Sequence, residues 1–107
     1  MDAQFKKGIL DICVLSILEK KEIYGYGLKV EMSQIMDVNE NTLYPLLRRL
    51  EKDGDLETYS HVSNQGRSRK YYRITNQGKE HLELLRQDWL EFRTVANKMI
   101  LGDDKNE

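Results

Sequence analysis

Hydrophobic and polar residues follow one another along this chain in a series of distinct periods. From Phe5 to Lys20 the apolar residues, Ile9, Leu10, Ile12, Cys13, Val14, Leu15, Ile17 and Leu18 among them, lie almost all round a helix. That pattern predicts a helix buried on more than one side. Lys20-Lys21-Glu22 interrupts it, and Tyr24-Gly25-Tyr26-Gly27 leads into Leu28, Val30, Met32 and Ile35, a second helix of about ten residues. The two glycines near its start predict close packing against another backbone.

The stretch from Asn39 to Gly54 predicts a third helix and carries the most information. At about 100° per residue, Leu43, Leu46, Leu47 and Leu50 share one edge, while Asn41, Pro45, Arg48 and Lys52 cluster opposite. Asp37 or Asn39 can cap this helix, and Gly54 stops it. Pro45 leaves two readings open. With Thr42 as the cap, the proline falls in the first turn, where no amide bond is lost. With the helix starting at Glu40, the carbonyl of Asn41 loses its partner and the chain bends.

Beyond Gly54, Leu56–Val62 alternates loosely, Ser63-Asn64-Gln65-Gly66 reads as a turn, and Arg67–Thr75 contains Tyr71, Tyr72 and Ile74, predicting a two-stranded hairpin. Thr75 then caps a long last helix. Leu82, Leu85, Trp89, Phe92, Ala96 and Met99 follow in 3-4-3-4-3 spacing, a heptad seam of about two and a half repeats. The fold class expected is mainly α with a small β-hairpin: a winged helix-turn-helix unit over residues 1–75, a dimerisation helix over 76–102 and a disordered tail over 103–107. Leu43, Leu47 and Leu50 are expected to pack on Ile9, Ile12, Leu15 and Leu28.

Composition narrows the function. The 107 residues, 39% hydrophobic and 33% charged, suit one folded core. No apolar run reaches the roughly 18 residues of a membrane span, and Met1–Lys7 is not followed by a small-residue cleavage site, so no secretory signal is expected. The single cysteine, Cys13, points to a reducing cytoplasm. The formal net charge of −1 argues weakly against a polyanionic partner, but its distribution does not. His61–Arg73 holds four bases and no acid, whereas Glu80–Glu107 holds seven acids against four bases. Local field governs binding more than the total.

The residues best suited to double-stranded DNA are Asn39, Asn41, Thr42, Tyr44, Arg48 and Lys52 on the third helix, with Arg67, Arg69 and Lys70 around the hairpin tip. Arginine reaches guanine bidentately, asparagine reaches adenine, and both also bond phosphates. A solvated helix face and an ordinary charged turn would show the same residue types. Cys13, His61 and His81 fall on three different elements without ligand spacing, so no metal site is expected. No phosphate loop, activated nucleophile or paired carboxylates appear, so neither an enzyme nor a cofactor is expected.

Three blocks in this order carry a family resemblance: Ile23–Leu28, Asn39–Gly54 and Gly66–Thr75. They resemble the signature blocks of the PadR family of transcriptional regulators, over roughly Phe5 to Gly78. The resemblance implies a winged-helix homodimer, mostly a repressor, on a pseudo-palindromic operator. The chain departs from that pattern in the short Ser33–Val38 link and in its single C-terminal helix, which is similar to the family's short subgroup. That subgroup includes multidrug-responsive members with a tryptophan at a similar place. Trp89 therefore has two readings, a filler of the dimer core or the wall of a slot for a planar aromatic ligand. A winged-helix module that binds protein without reading DNA is the alternative function.

Overall fold

A computed structural model describes the backbone of residues 3–102 and the side chains from Ile9 onward, so the expected tail over 103–107 lies outside the described residues. The elements run α1 (Ala3–Lys20), β1 (Ile23–Tyr24), α2 (Gly25–Ser33), α3 (Glu40–Lys52), β2 (Leu56–Val62), β3 (Ser68–Ile74) and α4 (Asn76–Leu101). The hairpin pairs as expected, with Leu56 opposite Ile74 and Val62 opposite Ser68. β1 adds a strand that the periodicity did not predict. It pairs Ile23 with Tyr72 and Tyr24 with Tyr71, giving an antiparallel sheet in the order β1-β3-β2. Two residues before a glycine offer no readable period, and only β3's free edge makes them a strand.

The core forms where the leucine edge of α3 meets α1, α2 and the sheet. Leu43, Leu46, Leu47 and Leu50 are all buried, as their spacing requires. From α1 the buried residues are Leu10, Val14, Leu15 and Leu18, with Ile12, Cys13 and Ile17 partly covered. Ile9 is only half-buried, so Leu10 and Val14 take the place expected for it. A helix that is apolar nearly all round does not announce which face turns inward. In α2, Leu28 and Met32 are buried but Val30 faces outward. Ile35 lies beyond the helix and is 89% exposed, and Val38 enters the core instead.

The α2 glycines admit side chains rather than another backbone. A methyl on Gly25 would lie 2.9 Å from the Tyr44 ring, and one on Gly27 would lie 3.0 Å from Ile23. The expected contact was therefore close, but its partner was different.

The base of α4 is built into this core. Thr75 caps the helix by accepting from the Gly78 amide at 3.0 Å, and its hydroxyl donates to the Gly54 carbonyl at 2.6 Å. Gln77 donates to the Asp53 carbonyl at 2.6 Å and to Asp55 Oδ1 at 3.1 Å. The Asp55 carboxylate, only 3% exposed, also accepts from His81 Nδ1 at 2.7 Å. A buried carboxylate is tolerated because each oxygen has a donor. These bonds tie the start of α4 to the end of α3. Gly54, at φ +90°, makes the turn between α3 and β2 that brings Asp55 there.

Leu82 is buried in this same core and Leu85 packs against it, so the first two seam positions are occupied within the chain. From Trp89 onward the apolar edge is uncovered, with Phe92, Val95, Met99, Ile100 and Leu101 all exposed. At about 1.5 Å per residue the 26-residue helix carries that edge well beyond the base to which it is bonded.

Candidate nucleic-acid interface

α3 begins at Glu40, which decides between the two readings of Pro45. Asn39 is the cap, in extended backbone, and its side-chain oxygen accepts from the Asn41 amide at 2.7 Å. Pro45 therefore lies inside the helix and leaves the Asn41 carbonyl without an intrahelical donor. Both residues are exposed, so that carbonyl faces solvent on the same edge as Arg48 and Lys52. Asn39 has committed one side-chain atom to the cap, and its amide NH₂ remains a donor.

The arginines of α3 divide by role. Arg49 donates to both oxygens of Asp11, at 3.0 and 2.9 Å, and also lies 3.7 Å from Asp53. That hydrogen bond raises its pKa further and pins α3 to α1. Arg48 and Lys52 are exposed, with no ion pair or hydrogen bond among the described residues. Asn41, Arg48 and Lys52 thus form an exposed donor edge, with Thr42 and Tyr44 half-buried at its flank. Burial raises the Tyr44 pKa, and the nearby Glu40 charge adds to it, so its hydroxyl stays a proton donor.

The hairpin cations do not all sit at the tip. Arg67 is in the turn, exposed, and its side chain is unengaged among the described residues. Arg69 and Lys70 belong to β3. Arg69 lies over the Tyr24 ring at 4.4 Å, while Lys70 is 5.4 Å from the Tyr72 ring and 3.4 Å from Glu51 of α3. Arg73, the fourth base of the acid-free run, is paired with Glu57 at 2.9 Å. The basic segment is therefore one free tip residue, Arg67, and three held cations, because a strand's pleat spreads consecutive side chains over both faces.

Between these elements lies an open cleft of about 460 Å³. Tyr24 and Tyr26 line it from the β1–α2 junction, Tyr44 from α3, and Arg69, Lys70 and Tyr72 from β3. It meets α3 at Tyr44, at the flank of the donor edge, and is lined by phenols and two cations. Tyr24, Tyr26 and Tyr72 were not among the residues expected to contact DNA. The alternation Tyr-Gly-Tyr-Gly was the available signal, since a glycine there leaves room for a ring from elsewhere.

Comparison with known proteins agrees with this architecture. Residues 14–84 match the transcriptional regulator PadR-like family. A PadR-like transcriptional regulator from Bacillus cereus has a solved structure that is 37% identical. It superposes with a TM-score of 0.85, covering 94% of this chain and all of that one. A transcriptional regulator from Mycobacterium tuberculosis is 35% identical over 80 residues, 74% of each protein. The negative transcriptional regulator PadR of Bacillus subtilis is 28% identical over 86 residues, and the match spans 77% of this chain but 45% of that protein. The family match covers well over half of the chain, and the winged-helix elements agree with it: the chain belongs to the PadR-like family of transcriptional regulators.

Proposed function

We propose that this regulator acts as a homodimeric repressor that reads duplex DNA with α3 and grips the neighbouring backbone with the wing. The observation that carries the reading is the exposed edge of Asn41, Arg48 and Lys52, with Tyr44 at its flank lining the Arg69–Lys70 cleft and Arg67 exposed at the hairpin tip. Repression is supported by the similarity to the negative regulator from Bacillus subtilis. A second copy would cover the apolar edge of α4 from Trp89 to Leu101, with Phe92, Ala96 and Met99 at the seam. Leu82 and Leu85 brace that seam from within each chain. Two-fold symmetry then places two reading helices about one DNA turn apart.

The test is selection of bound duplexes from a random pool. The wild type should enrich an inverted repeat with half-sites about 10 base pairs apart. Asn41→Ala and Arg48→Ala should each weaken the selected site by about 1–3 kcal/mol and relax preference at particular positions. Folding should be unaffected, since both residues lie opposite the leucine edge. No enrichment from the pool would contradict DNA readout, and unchanged preference in both variants would assign readout to DNA shape.

Ligand release at Trp89 is the finer part of the proposal. The indole is 37% exposed and its ring centroid lies 6.1 Å from that of Phe92, tilted rather than stacked. Two such pairs across a two-fold axis would frame a slot with flat aromatic walls. Trp89 is the chain's single tryptophan, so its emission reports that slot alone. Planar cationic compounds should quench it saturably and weaken operator binding, provided they bind the two states of the dimer with different affinity. Trp89→Ala should keep the dimer and lose the response. A variant that falls apart into monomers would make Trp89 a core filler, at a cost of about 3–5 kcal/mol.

A further inference from the structure

We propose that the cleft between the start of α2, Tyr44 and strand β3 is a seat for a single DNA backbone phosphate, held mainly by neutral donors. This rests on the DNA-binding reading above and names which atoms fix the protein's register on the duplex. α2 is nine residues long and its cap position is Tyr24, whose side chain makes no capping bond. The first amides of a helix have no intrahelical acceptor, and their partial positive charge suits an anion. Gly25 and Tyr26 bring that helix end to the cleft wall.

The independent observation is Tyr72. The residue is only 6% exposed, yet its hydroxyl has no hydrogen-bond partner among the described residues. No fully enclosed polar side-chain atom among those residues is without a partner, so this hydroxyl must open onto the cleft that Tyr72 lines. A tyrosine packed this deeply, with its one polar atom unspent, is built to donate to something that arrives from outside. Tyr44 stands opposite as a protonated phenol, seated on Gly25, where any larger residue would meet its ring at 2.9 Å. Arg69 and Lys70 close the rim, each held over a tyrosine ring, at 4.4 and 5.4 Å. Two phenols, the start of α2 and two cations line one concave site. A phosphodiester offers acceptors only, and so it matches this set of donors.

A phosphate seat of this kind has a distinctive signature. A hydroxyl displaces no counterion, so removing it weakens binding without changing the salt slope, unlike removal of a lysine or arginine. The probe is the duplex that the wild type selects from a random pool. Tyr72→Phe and Tyr44→Phe should each bind it about tenfold more weakly, with the salt slope of the wild type and an unchanged fold. Each duplex phosphate is then replaced singly by an uncharged methylphosphonate. At one position per half-site the Tyr72→Phe penalty should vanish, and at all others it should persist. Wild-type affinity for Tyr72→Phe, or a penalty that persists at every substituted position, would overturn the seat while leaving DNA binding intact. Absence of salt-dependent binding by the wild type would overturn the DNA reading and the seat together.

Discussion

Replacing Gly78 with alanine is expected to destabilise the fold by about 3 kcal/mol, near the top of the range for overpacking. A methyl placed there would collide with the Asp55 carbonyl oxygen and lie 2.7 Å from Ile74. The first of these is backbone, which cannot rotate away as a side chain would. That carbonyl also accepts from the Thr75 amide at 3.0 Å, so moving it breaks the link between β2 and α4. The same shift would disturb His81 and Gln77, both bonded to the Asp55 carboxylate. For a domain of this size the melting temperature should fall by roughly 12–24 °C, which thermal unfolding by circular dichroism would measure. An unchanged melting temperature would mean that α4 is not seated against the end of α3.

That seating was hidden in the sequence, whereas the leucine edge of α3 was plain in it. Leu43, Leu46, Leu47 and Leu50 stand out because polar residues separate them, so spacing alone assigns a buried edge. The hairpin was legible from a Gly-containing turn between a loosely alternating run and one rich in Tyr and Ile. α1 gave the opposite case. Its near-continuous apolar surface predicted a helix but could not rank Ile9 below Leu10 and Val14. Asp55 and His81 lie 26 positions apart and join through tertiary contact, and no local pattern marks such a pair. His81 could be weighed from the sequence only as a metal ligand.

The candidate interface was legible to a similar degree. Residue type and helical angle picked out Asn41, Arg48 and Lys52, and all three are exposed on one edge. Asp37, Asn39 and Thr42 were all open as caps of α3, and the bond from the Asn41 amide that selects Asn39 had to be seen. Arg69 and Lys70 were grouped with the hairpin tip because sequence proximity suggested it. Arg69's neighbour Tyr24 comes from pairing β1 onto β3, which two residues of strand could not announce, whereas Lys70 lies over Tyr72, two positions along the same strand.

Removal of the wing cations should produce the largest functional effect. Arg67 is unengaged among the described residues, and Lys70 is held only by a 3.4 Å contact with Glu51 and the face of Tyr72. Exposed pairs of that kind contribute about 1 kcal/mol at most, so Lys70 is available to a phosphate. Each cation that neutralises a phosphate releases counterions, so binding by a dimer with several such contacts should lose orders of magnitude between low and moderate salt. The direct measurement is the affinity of the wild type and of Arg67→Ala/Lys70→Ala for the selected duplex across a salt series. The wild type should give a straight line of log affinity against log salt, falling by about 0.9 per phosphate contact. The double variant should bind every sequence more weakly, with a slope shallower by about two for each wing engaged. A wild-type affinity that does not change with salt would contradict the assignment of this surface to DNA.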